Sequence, residues 1–231
     1  MMAFFCTSIA CLAMADEDCH WALREWSAVC AALLSGASVC IARKGGIHEP
    51  RGGLFPLPGS LIAGSTRHIP QRFALLPGQF HQQAQRLAPW WAARWQAEHS
   101  AAEDNADLLF PGWAEVAACW LLSDAQEVTA FSQVEGAAPL SQEELLTRLR
   151  YRDQPWLAVM SLRVWRWPSP QHLPNSPQYR GCRSWIPLQA ALPCADPVPV
   201  LDDGEWRRMH QQVAAAVPTA PCFCNERILC P

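Results

Sequence analysis

Lysine is almost absent from this chain of 231 residues. Lys44 is the only one, and the other 17 of the 18 basic residues are arginines. Any chemistry that requires a lysine must therefore use Lys44. Alanine, proline and tryptophan are abundant beside arginine, so compositional bias is the simplest cause. The chain also lacks the run of about 20 apolar residues that a membrane helix needs, so no membrane span is expected. It has no internal repeat. Its 11 cysteines are odd in number and irregularly spaced, a poor disulfide framework. Reduced thiols in a cytoplasmic protein are the simplest account. Cys30, Cys40 and Cys119 lie in apolar runs, where a free cysteine packs as a small hydrophobe.

What is present supports a packed core. Half the residues are hydrophobic and 12 are tryptophan, which excludes general disorder. The length suits one domain with tails. We expect an N-terminal extension over 1–19, a single domain over 20–205 and a loosely ordered tail over 206–231. The extension has two readings. Residues 3–13 are apolar and Ala13-Met14-Ala15 resembles a small-residue cleavage site. No Lys or Arg precedes them, however, and Met14-Ala15-Asp16-Glu17-Asp18 reads as an alternative start, which we favour.

The pattern predicts an α+β fold with a mixed or mainly antiparallel sheet, an opening β-hairpin, a few short helices and Pro-rich loops. The hairpin pairs 24–34 with 37–43 across Ser35-Gly36. A helix over 22–34 is its competitor, because Ala and Leu favour helices. Residues 73–76 and 114–122 read as strands, and Pro89 opens a helix running to about residue 99. Ser141 and Glu144 stand three apart and mark a helix start, with the helix running to about residue 150. Residues 156–167 are the clearest strand, apolar on much of both faces and therefore central. Pro168-Ser169-Pro170 ends it, and a short strand follows at 184–186.

Charge is distributed unevenly around a net of −3. Residues 43–94 hold seven basic residues and one acid, 96–147 hold ten acids and no Arg or Lys, and 154–195 hold four arginines and no acid. Such asymmetry marks either an anion-binding face or stretches that neutralise each other on folding.

Several motifs resemble a known family. They are Trp21-Ala22-Leu23-Arg24-Glu25-Trp26, then Arg43-Lys44-Gly45-Gly46-Ile47-His48-Glu49, Phe73-Ala74-Leu75-Leu76-Pro77 and His81-Gln82. They continue in the strand at 157–168, in Tyr179-Arg180-Gly181-Cys182-Arg183-Ser184-Trp185 and in Pro199-Val200-Leu201. Over about 20–203 the chain resembles the bacterial family catalogued as domain of unknown function 1802. The family has no established activity and no catalytic residues to carry over. Some relatives occur with a restriction-type nuclease domain, which implies a link to nucleic-acid metabolism. Gly78-Gln79-Phe80 departs from the family's polar-aromatic stretch, and 50–72 is altered in length.

The candidate anion-binding residues are Arg43, Lys44, Gly45, Gly46, Arg163, Arg180, Arg183 and Trp185. Gly45 and Gly46 free the backbone to turn its N–H groups on an anion. Arg180 and Arg183 fit planar phosphate contacts, and Trp185 offers a stacking face. The structural alternative is an exposed turn at 43–46, and a strand in which Cys182 and Trp185 are core. Cys182 as a nucleophile lacks a paired base. His48, Glu49, His68 and His81 have no diagnostic metal spacing. Cys222, Cys224 and Cys230 lack a fourth zinc ligand. No cofactor is expected.

Two enzyme classes lack their signatures. The acid pattern of a Nudix metal helix is absent, and no acid stands two residues before Lys44, as a restriction-type nuclease requires. The leading expectation is a module that binds nucleic acid or a nucleotide, with its enzymatic status open. The alternatives are a metal-dependent small-molecule enzyme using His48, Glu49 and His81, or a structural protein whose exposed tryptophans meet a protein partner.

Overall fold

Residues 18–44, 72–78, 82–95, 107–151, 156–179, 181, 183–195 and 198–229 are described in the computed structural model. The described residues open with strand β1 (Cys19–Trp26), which passes directly into helix α1 (Ser27–Leu34), then strand β2 (Cys40–Arg43). The expected hairpin is therefore corrected, because its first arm is mostly helix. Val29 is the single β-branched residue of α1, and Ala and Leu favour the helical state. Six of the eight residues of α1 are buried. A helix buried nearly all round carries no amphipathic stripe, so its sequence reads like an interior strand.

Strand β3 (Arg72–Gly78), helix α2 (Pro89–Trp95), strand β4 (Asp107–Leu122), and helices α3 (Ala125–Ser132) and α4 (Gln142–Arg150) follow. Helix α4 starts where the Ser-x-x-Glu pattern places it, with the Ser141 hydroxyl accepting from the Glu144 N–H at 3.2 Å. Strand β5 (Leu157–Pro174), strands β6 (Trp185–Leu192) and β7 (Val198–Pro199), helix α5 (Asp203–Ala216), strand β8 (Phe223–Cys224) and helix α6 (Glu226–Leu229) complete the chain.

The eight strands form one mixed sheet with the path β2-β5-β4-β3-β1-β6. Strand β7 joins β5, and β8 joins β4. Only β1 and β3 run parallel; every other pairing is antiparallel. The β4–β5 ladder runs from Asp107 opposite Pro174 to Leu122 opposite Leu157. It continues past Pro168 and Pro170, where the sequence predicts an end. Phe110 faces Gln171 and Gly112 faces Arg166, so residues 167–170 stand opposite Pro111 alone. A bulge absorbs residues that cannot donate to the ladder.

Both faces of the sheet are covered. Leu23 of β1 and Phe73 and Leu75 of β3 enter the larger core, beside α1, α4 and α5. Ala22, Ala74 and Leu76 alternate into a smaller one with Phe110, Trp113, Trp167 and Tyr179. That alternation is the period of two expected of strands.

The segment after residue 205 is folded, where the sequence predicts a loose tail. Trp206, Val213 and Val217 are buried. The Cys222 N–H donates to the Cys119 carbonyl, and the Asn225 N–H to that of Ala117, both at 2.8 Å. Ala117 falls where the β4 register shifts, so the tail takes up a carbonyl at an irregularity in the ladder.

A Cβ on Gly112 would press on the Trp165 carbonyl oxygen and lie 2.7 Å from Leu34 Cδ2. Gly112→Ala should therefore destabilise the protein by about 1–3 kcal/mol, the usual cost of overpacking, in a urea titration.

Candidate functional site

Strand β2 begins the sheet path and β1 lies next to its far end. Even so, Arg43 Nη1 on β2 and Glu25 Oε2 on β1 are 2.7 Å apart, each side chain only 6% exposed. The sheet must curl for these strands to meet. Glu25 Oε1 also accepts the Trp26 N–H at 2.9 Å, so both carboxylate oxygens are engaged.

Lys44 follows at once. Its Nζ donates to the Leu149 carbonyl at 2.6 Å and lies 5.0 Å from the Trp156 ring centroid. The C-terminal turn of α4 carries partial negative charge, which suits a cation there. Burial lowers the Lys44 pKa from its usual range.

Arg148 completes this end. Its Nε donates to Glu144 Oε1 at 2.8 Å and its Nη1 to the Ala42 carbonyl at 2.9 Å, with the guanidinium 4.8 Å from the Trp26 ring centroid. Glu144 in turn lies 3.7 Å from Arg86, whose side chain is 45% exposed. The Ser141–Glu144 pattern thus supplies half a capping box, because the Glu144 carboxylate turns to arginines. In this connected group Arg43, Lys44, Arg86 and Arg148 gather around Glu25 and Glu144.

The remaining predicted residues divide. Arg183 is exposed, in a segment bound to the end of β1. The Arg24 N–H donates to the Ser184 carbonyl at 2.7 Å, and the Arg24 guanidinium donates to the Tyr179 and Gly181 carbonyls. Arg24 and Glu25 are adjacent on β1, so their side chains lie on opposite faces of the sheet, Arg24 with Tyr179 and Gly181 and Glu25 with Arg43. Trp185 is a core residue, buried edge-on against Phe73 at 5.0 Å.

Arg163 does not join them. It is buried under α5, with Nη2 2.6 Å from Asp203 Oδ1 and its guanidinium within 6 Å of the Trp165 and Trp206 rings. Burial lowers its pKa and Asp203 opposes that shift. Gly45, Gly46, His48, Glu49, His68, His81, Arg180 and Cys182 lie outside the described residues. Among the described residues no three His, Cys, Asp or Glu side chains gather as a metal site. The acidic and basic stretches do meet, through Arg72–Glu115 at 3.5 Å and Arg86–Glu144. The expected interface of exposed tryptophans is corrected, since all twelve are buried or half-buried.

One polar cluster escaped the sequence reading. Ser161 Oγ on β5 and His210 Nδ1 on α5 are 2.9 Å apart, and the imidazole stacks on Trp206 at 5.1 Å. The available signal was the four-residue spacing of Trp206 and His210, which puts them on one helix face. Ser161 is fully buried, so the contact fastens α5 to the sheet. A nearby cavity of about 10 Å³, lined by Leu33, Val39, Arg163, Leu201 and Trp206, has room for a water at most.

The folded unit is an α+β domain on a curled mixed sheet, with a cationic, tryptophan-bearing end. The chain belongs to the family described as Domain of unknown function (DUF1802), whose model matches residues 22–212. No curated protein matches it. Among solved structures it is similar to ASCH from Zymomonas mobilis, at 11% identity over 84% of this chain and 93% of that one, with a TM-score of 0.37. A mutant form of that protein gives 14% identity over 73% and 89%, with a TM-score of 0.38. At such scores the likeness goes no further. No helix among the described residues is long and apolar enough to cross a membrane.

Two measurements address this geometry. Glu25→Ala leaves the buried Arg43 without its carboxylate and should cost about 3–5 kcal/mol in chemical denaturation. Adding Arg43→Met should recover part of that loss. Burial also lowers the His210 pKa from its usual 6.5, so the unfolded chain binds this proton more readily than the folded one. The contribution of His210 is therefore intact above about pH 6.5 and is lost as pH falls from there toward its folded pKa. Thermal melts of the wild type should decline over that window, and His210→Gln should flatten the decline.

Proposed function

We propose that the chain binds an anionic ligand, nucleic acid or a nucleotide, at the end of the sheet where β1, β2 and α4 meet. The observation that carries this reading is the grouping of cations there, with Arg86 45% exposed, together with two half-buried tryptophans. Lys44 lies over Trp156 and Arg148 over Trp26. Arginine matches the oxygens of a phosphate through paired N–H groups. Base-stacking aromatics beside such cations are the usual equipment of single-strand binders.

The candidate contacts are Arg86, Arg148 and Arg183, with Gly45, Gly46 and Arg180 contributing from their neighbouring positions in sequence. Arg43, neutralised by Glu25, and Lys44, 5% exposed with its Nζ on the Leu149 carbonyl, lie behind these contacts and position them. Arg163 and Trp185, bound within the fold, fall outside this proposed contact set.

The reading is tested by fluorescence anisotropy with short single-stranded DNA, RNA and labelled nucleotides across a salt series. Affinity should fall steeply with salt, with a log–log slope of about −0.7 per phosphate neutralised on a single strand. Arg183→Ala should weaken binding and reduce that slope by about one contact. Absence of binding to every probe at about 50 mM salt, where such contacts are strongest, would remove the proposal.

A further inference from the structure

Cys19 begins β1 and Cys194 follows β6, the antiparallel neighbour in which Leu192 stands opposite Cys19. Their sulfurs are 3.2 Å apart across a sequence separation of 175. Cys19 is fully buried, and Cys194 is 6% exposed. Both are free thiols. A disulfide requires a sulfur separation of about 2.05 Å, so a shift of roughly 1 Å would join them.

We propose that Cys19 and Cys194 are a redox-active dithiol, which a two-electron oxidant of the peroxide class converts to a disulfide between β1 and the segment after β6. The proposal is independent of the ligand reading above.

The step balances as follows. The Cys194 sulfur attacks one peroxide oxygen and the O–O bond breaks. The departing hydroxide takes the Cys194 proton and leaves as water, so Cys194 becomes a sulfenic acid. The Cys19 sulfur then attacks the Cys194 sulfur, forming the S–S bond and breaking the S–O bond. The second hydroxide leaves as water with the Cys19 proton. Two thiols lose two electrons, and one peroxide becomes two waters.

The roles follow from position. Cys194 is the outer thiol and meets the oxidant. Cys19 sits behind it as the resolving group, and a resolving cysteine beside the reacting one is common among oxidation-sensitive thiols. The proton arrangement agrees. The hydrogen bond from Cys19 lowers the Cys194 pKa against the opposing effect of burial, and the same bond, with burial, raises that of Cys19. Arg72 lowers both pKa values and Asp18 raises both.

In a second pair, Cys119 and Cys222, the thiols also hydrogen bond to each other, and the Cys222 thiol donates to the Cys119 backbone carbonyl at 3.1 Å, a closer carbonyl contact than the 3.9 Å from Cys194 to Leu192.

The test uses the full chain, reduced and then exposed to hydrogen peroxide. The protein is alkylated in denaturant, digested without reductant and mapped by mass spectrometry. The Cys19 and Cys194 peptides should appear joined and two hydrogens lighter than the separate thiol peptides. Dithiothreitol should release them. Cys19→Ser should leave Cys194 as a sulfenic acid that dimedone labels. Recovery of both wild-type peptides singly alkylated would overturn the proposal. So would cross-linking of Cys119 to Cys222 while Cys19 and Cys194 remain thiols. The wild-type map decides the matter even if the serine variant fails to fold.

Discussion

A guanidinium and a carboxylate, each almost sealed from water, hold the two ends of this sheet together. Removing either charge from solvent costs several kcal/mol, and the attraction between them offsets that only when geometry is good and the remaining polar atoms are engaged. The Arg43–Glu25 contact at 2.7 Å meets the first condition, and the Trp26 N–H on the other Glu25 oxygen helps to meet the second. Because the partners come from strands far apart in the sheet path, the pair also specifies a shape. A flat sheet could not form it. The curl brings the ends of β1 and β2 beside α4, and thereby groups Lys44 and Arg148 with two tryptophans.

The odd composition is consistent with this packing. A chain rich in arginine and tryptophan can satisfy cations by laying planar guanidinium groups against rings. Arg72 lies over Trp113, Arg94 over Trp91 and Arg148 over Trp26, while Arg163 lies near both Trp165 and Trp206. A lysine, with its compact and strongly hydrated charge, is less suited to such surfaces. Lys44 is accommodated by a helix C-terminus as well as a ring.

Local chemistry was legible in the sequence and distant chemistry was not. Ser141 announced α4 because a cap acts within one turn, and 157–167 announced β5 because its apolar faces are continuous. The α1 run deceived because burial on nearly every side erases the periodicity that separates helix from strand. Pro168 and Pro170 looked terminal because a bulge is invisible until its partner strand is known. At the candidate site, Arg43 and Lys44 could be singled out by their Gly-Gly neighbours. Glu25 and Arg148 could not, since each meets β2 or its end only through the fold, across 18 and 106 residues. The tail was misjudged for the same reason: Ala- and Pro-rich sequence reveals nothing of a vacant carbonyl on β4.

The four-residue excursion opposite Pro111 divides the longest ladder into two lengths. Beyond it, Asp107–Phe110 and Gln171–Pro174 remain paired, but Leu109 is 41% exposed and the other side chains there are largely at the surface. Phe110, fully buried, pins the base of this ribbon to the smaller core. Leu108 and Leu173 of the same ribbon pack against that core only in part. A ribbon with so few buried contacts meets the physical condition for opening apart from the ladder that begins at Gly112.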